Sequence, residues 1–201
     1  MYFSLMNPDR INVIDDSNAL IFGGSQEWFG ERWRRQSGCG AVAASNMIWY
    51  MRGHMRGGRN GKDHYIELME EMFGCVKPGI LGVNSSTIFA NGIKRYGARH
   101  EWHISTHVLK IPAWKHKRPG ISEIMGFISS ALQTDAPVAF LNLSNGSIKN
   151  LGSWHWVTIV AIDTVAARAK TSDYGKTSDI DIAQWLQTSA LGGALVYLHH
   201  D

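Results

Sequence analysis

The sequence predicts an α+β fold built on an antiparallel sheet. Apolar residues recur at helical spacing through much of the first two-thirds of the chain. Runs rich in β-branched residues, separated by turn signals, gather in the last third. Helices and strands segregated in this way argue against a doubly wound parallel sheet, in which they would alternate. The chain has 201 residues, 44% of them apolar, and shows no repeat or evident linker. One domain spanning 1–201 is therefore expected, with enough apolar mass for a sizeable core.

The elements follow in order. Asn18–Phe22 is a short strand closed by Gly23-Gly24. Residues 39–52 form a helix in which Ala43, Met47, Tyr50 and Met51 recur at helical spacing. The loop Arg56–Gly61 ends it. Its glycines and Lys62 faintly resemble a phosphate-binding loop. The spacing is short by one, however, and Asp63 stands where a magnesium-holding Ser or Thr would be, so that reading is set aside. Lys62–Phe73 is amphipathic, with Tyr65, Leu68, Met69 and Met72 on one face. Ser85–Tyr96 is a serine-capped helix stopped by Gly97, with Ile88, Phe89 and Ile93 as its apolar face. Residues 99–111 alternate as a strand, and Ile121–Leu132 is a helix with Ser122 as its cap. Pro137–Leu143 is a strand, and Asn145-Gly146 is a hairpin signal. His155–Ile162 and Ala167–Tyr174 pair as strands. Asp181–Gln187 is a short helix and Ala194–His199 a final strand.

Composition excludes several functions. The formal net charge is +3, and two basic groups stand out: Arg32, Arg34, Arg35, Arg52, Arg56 and Arg59, then Lys110, Lys115, Lys117 and Arg118. They read as solvated faces, since no nucleic-acid-recognition motif accompanies them; nucleic acid is not an expected partner. Two cysteines are too few for a disulfide scaffold and fit a reducing compartment. The first nine residues do not form a secretory signal, and no apolar run is long enough to span a bilayer. A cytoplasmic protein with no membrane insertion is expected. Oligomeric state is not legible. His103 and His107 lie four apart in strand-like sequence, where that spacing does not join two ligands, and His199-His200 lack a partnering Glu. Neither a metal nor a cofactor is expected.

The chemistry points to Ser37-Gly38-Cys39-Gly40-Ala41-Val42-Ala43-Ala44. Cys39 follows a glycine turn at the first residue of an apolar helix. Unpaired N–H groups and partial positive charge at such a tip stabilise a thiolate. Gly38 and Gly40 would let a substrate backbone approach the sulfur. His155, opening a strand between Trp154 and Trp156, is the candidate base; the two indoles would shield the imidazole from water and line a substrate cleft. Asp173, on the next strand, would hold the Nδ1–H of His155 and fix its tautomer. Asp163 is excluded as orienter because eight residues along an extended strand place it roughly 26 Å from His155. The Cys39 backbone N–H is one oxyanion donor. Gln26 and Gln36 both qualify by type as the second. Gln26 has more intervening chain with which to reach back, and Gln36 is the alternative.

Together these segments resemble the C39-like branch of the papain-like cysteine peptidases. The likeness lies in Gly38–Ala44, in Trp154–Val160, in Ser172–Lys176 and in the glutamine segment Gly24–Phe29. The resemblance implies a papain-like fold, with the cysteine helix packed on an antiparallel sheet. It also implies Cys39 as nucleophile, His155 as base, Asp173 as orienter, Gln26 in the oxyanion hole, and a peptide or protein substrate. Trp33 stands where leader-processing members carry glutamine, and the transporter to which they are often fused has no counterpart among the apolar runs, so the resemblance implies a free-standing peptidase-like domain. The same residues serve other acyl transfers (amidase or transglutaminase chemistry), and a non-catalytic peptide-binding module is the third reading.

Overall fold

The computed structural model describes residues 1–53 and 60–200. Arg56, Arg59 and most of the expected loop 56–61 lie outside the described residues. Among the described residues the architecture is α+β with six α-helices: α1 (Arg32–Ser37), α2 (Cys39–Met51), α3 (Lys62–Val76), α4 (Ser86–Arg99), α5 (Ile121–Gln133) and α6 (Ile182–Thr188). The strands are β1 (Tyr2–Ser4), β2 (Asn12–Ile14), β3 (Leu20–Phe22), β4 (Ile104–Ile111), β5 (Val138–Asn142), β6 (His155–Asp163), β7 (Arg168–Asp173), β8 (Lys176–Asp181) and β9 (Gly193–His200). Seven strands form one antiparallel sheet in the order β4-β9-β5-β6-β7-β8, with β1 also paired to β6. The remaining pair, β2 and β3, forms a small separate ribbon.

Helices cover both faces of the sheet. On one face α2, α3 and α4 bury Met47, Tyr65, Met69 and Phe89 against Ala139, Leu141, Trp156, Val196 and Leu198. On the other, α5 and α6 bury Ile124, Ile128, Leu132 and Trp185 against Val138, Phe140, Val157, Ile159 and Leu195. β5 and β6 are thus covered on both sides, which explains why their sequences run apolar instead of alternating. α2 is buried along nearly its whole length, from Cys39 to Tyr50.

Several local expectations change. Gly97 does not stop α4, which runs on to Arg99. A Cβ at Gly97 would sit 2.5 Å from the Trp102 carbonyl, so this glycine admits the returning chain. Residues 99–103 therefore precede the strand. Ile88 is exposed, and Ala90 and Tyr96 join the buried face instead. Gly120, not Ser122, caps α5. Asn145-Gly146 lies inside the long loop 143–154 between β5 and β6, not in a two-residue hairpin. The tight turn is Tyr174-Gly175, between β7 and β8, where φ is +48° and +73°. A short helix, α1, leads straight into Gly38 in place of an extended glycine turn.

Candidate active site

Cys39 opens α2 directly after Gly38, so it stands at the end of the helix where amide hydrogens point outward. His155 opens β6, and Asp173 closes β7. Antiparallel pairing of β6 with β7, in which Thr158 faces Ser172, brings the two side chains to the same end of the sheet. The His155 Nε2–H donates to Asp173 Oδ1 at 2.8 Å. This corrects the expected pairing through Nδ1: the carboxylate holds Nε2, and Nδ1 is left to serve the sulfur. Asp163 lies at the far end of β6, where its carboxylate accepts from the Val165 and Ala166 amides.

Gln26, Cys39, His155 and Asp173 line one small cavity of about 10 Å³, with Val42, Ala43 and Asn46 behind them. That volume holds roughly a single water. Gln26 donates from Nε2 to the Arg35 carbonyl at 2.6 Å. A primary amide carries two N–H groups, so one remains for an oxyanion. Gln36 is exposed and does not line this cavity. Cys39 is only 7% exposed, and its Sγ lies 4.0 Å from the Trp154 carbonyl.

The electrostatics favour a charged imidazole. Burial by itself would lower the pKa of His155, but the hydrogen bonds to Asp173 and Cys39, and the charges on both, outweigh it and push the group up to about 10. Tyr174 stacks on the imidazole with ring centroids 5.4 Å apart and planes 15° from parallel. It therefore covers the face of a cationic ring. Burial, then the charges on Asp173 and Cys39, push the Tyr174 hydroxyl up to about 12, so it stays neutral across the working range.

Three of the expected substrate contacts are corrected. A Cβ on Gly40 would sit 2.8 Å from Val83 Cβ and Cγ2, and one on Gly38 would sit 2.4 Å from the Phe29 ring. Both glycines are buried and small because the protein packs against them, not because a substrate does. Trp156 is 2% exposed, stacks on Phe89 at 4.1 Å and donates its Nε1–H to the Val83 carbonyl. It is core. Trp154, in contrast, is 47% exposed and has φ of +57°, which sets its carbonyl toward Cys39 while its ring stays at the surface. Trp28 and Trp33 pack edge-on against Tyr65 and Phe73.

Two residues at the site carry no signal of their own in the sequence reading. Tyr174 is visible only as the aromatic residue following Asp173. Asn46 is visible only as a polar interruption of an apolar helix, seven residues after Cys39. Among the described residues there is no cluster of three His, Cys, Asp or Glu able to hold a metal, and no helix long and apolar enough to cross a membrane. No protein-family model matches the chain, and no curated protein matches it.

Proposed function

We propose that the protein is a cysteine peptidase of papain-like fold, similar to the C39-like branch, acting on a peptide or protein substrate. The observation that carries this reading is the convergence of Cys39, the His155–Asp173 pair and Gln26 on one cavity. His155 Nδ1 takes the Cys39 proton, and the thiolate attacks the scissile carbonyl carbon to form the S–C bond. The Cys39 backbone N–H and the second amide hydrogen of Gln26 stabilise the oxyanion. As the C–N bond breaks, the imidazolium returns its proton to the departing amine. Water, deprotonated by His155, then hydrolyses the thioester and frees the thiol. Asp173 accepts the His155 Nε2–H throughout and holds the imidazole in place. Both cysteines are free thiols, which suits a reducing compartment such as the cytoplasm.

A peptide-library cleavage assay comparing wild type with Cys39→Ala tests the reading. Cleavage by the wild type and none by the variant is expected. Cleavage that survives in Cys39→Ala refutes the mechanism, and no cleavage by either protein refutes the hydrolytic reading in favour of another acyl acceptor or a binding role.

A further inference from the structure

A buried asparagine lies directly beneath the cavity. Asn46 is 1% exposed and sits seven residues after Cys39, which is two turns of α2 and nearly the same helix face. Its Oδ1 accepts from the Gly24 amide at 3.0 Å and from the Tyr65 hydroxyl at 2.6 Å. Its Nδ2 donates to Thr158 Oγ1 at 3.1 Å and to Ser172 Oγ at 3.4 Å. A side-chain amide offers two donors and two acceptor positions, and all four are used here. Ser172 Oγ in turn donates to the Phe22 carbonyl at 2.7 Å.

These partners belong to the segments that carry the reacting groups. Gly24 precedes Gln26 by two residues, Thr158 follows His155 on β6, Ser172 adjoins Asp173, and Asn46 shares its helix with Cys39. The fit is close on every side. A Cβ at Gly23 would sit 2.3 Å from Ser172 Oγ and 2.7 Å from Asn46 Oδ1, and one at Gly24 would sit 2.2 Å from the Tyr65 ring. The glutamine-bearing loop thus reaches the network only because it has no side chains there. Apolar packing would hold these segments together without fixing their register. A fully satisfied polar network in a low-dielectric interior fixes both.

We infer that Asn46 is a positioning residue that locks the Gln26 loop, the Cys39 helix and the strands of His155 and Asp173 into one reactive geometry. The inference rests on the peptidase reading above. It acts through the reacting groups and touches no substrate.

The test uses isosteric changes in the partners, Tyr65→Phe and Thr158→Val, beside Asn46→Leu, which carries the greater risk of misfolding. Thr158→Ser keeps the hydroxyl and serves as the conservative rescue. Ile128→Val, on the opposite face of the sheet, controls for lost stability. The readouts are Tm, the rate of Cys39 alkylation by iodoacetamide across pH, and the titration of the His155 ring by NMR. In the folded Tyr65→Phe and Thr158→Val proteins, Cys39 alkylation at about pH 6 should slow by about tenfold, as expected when reacting groups are displaced by a fraction of an ångström. The His155 titration should move with it. Thr158→Ser and Ile128→Val should stay within about twofold of wild type. Folded Tyr65→Phe and Thr158→Val proteins that keep the wild-type rate and the wild-type His155 titration overturn the inference. A wild-type Cys39 no faster than Cys75 refutes the peptidase reading itself, and the inference falls with it.

Discussion

Replacing Asp173 with asparagine removes the carboxylate that helps keep His155 protonated, and the effect on stability can be worked out in advance. His155 is pushed from an ordinary 6.5 up to about 10 in the folded protein. A group raised on folding contributes its full stabilisation below its unfolded value and loses it as pH rises toward its folded value. The window is therefore from 6.5 to about 10. Side-chain exposures of 9% for His155 and 19% for Asp173 leave little screening by water. At 1.36 kcal/mol per unit, the linkage amounts to a loss of about 2–3 kcal/mol between about pH 7 and pH 9. Asp173 supplies the first of the raising contributions, ahead of Cys39. The Asp173→Asn protein should lose under about 1 kcal/mol over the same interval and should converge on wild type near pH 10. Burial also raises Cys75, adding a decline at alkaline pH that is common to both proteins and cancels in the comparison. Urea denaturation followed by the fluorescence of the eight tryptophans measures both curves. Parallel stability–pH curves for the two proteins would refute the reasoning.

Two further predictions concern residues at the mouth and root of the same site. Gln26→Ala should lower kcat by about 10²–10³ with little change in KM, and Gln36→Ala should leave both within about twofold, measured on any peptide the wild type cleaves. The reverse ranking would give the oxyanion role to Gln36. Gly40→Ala places a methyl 2.8 Å from Val83 and should cost about 1–3 kcal/mol in a thermal melt, partly recovered by adding Val83→Ala. An unchanged Tm would restore Gly40 as an open face for substrate.

Candidate residues whose placement follows from local setting are legible in the sequence. Cys39 at a helix tip, His155 opening a strand and Asp173 closing the next one each carry a local signal, and short connections bring the strands together. What stayed hidden depends on distant partners. Gly38 and Gly40 look like room for a ligand until Phe29 and Val83 are seen to occupy it. Trp156 looks like a cleft wall until Phe89 stacks on it. Asn46 looks like a flaw in an apolar helix, since its partners are 19 to 126 residues away in sequence. Which ring nitrogen of His155 meets Asp173 depends on how the two side chains sit across β6 and β7, which no spacing encodes. β8 carries no strand signal because its residues are mostly polar and, among the described residues, it pairs with β7 alone, whereas the three residues of β1 are too few for a periodic signal.

The position of β9 has a consequence for timing. Gly193–His200 is the last strand in the described chain, yet it lies inside the sheet between β4 and β5. Cys39 and His155 are themselves separated in the chain by α3, α4, β4, α5 and β5. A nascent polypeptide thus carries Cys39 long before His155, and the sheet beneath them stays open between β4 and β5 until β9 inserts. Pairings across such long loops are the slow steps of folding. The meeting of Cys39 with His155 and Asp173 therefore comes late, and a chain that has not yet reached β6 holds the thiol without the imidazole beside it.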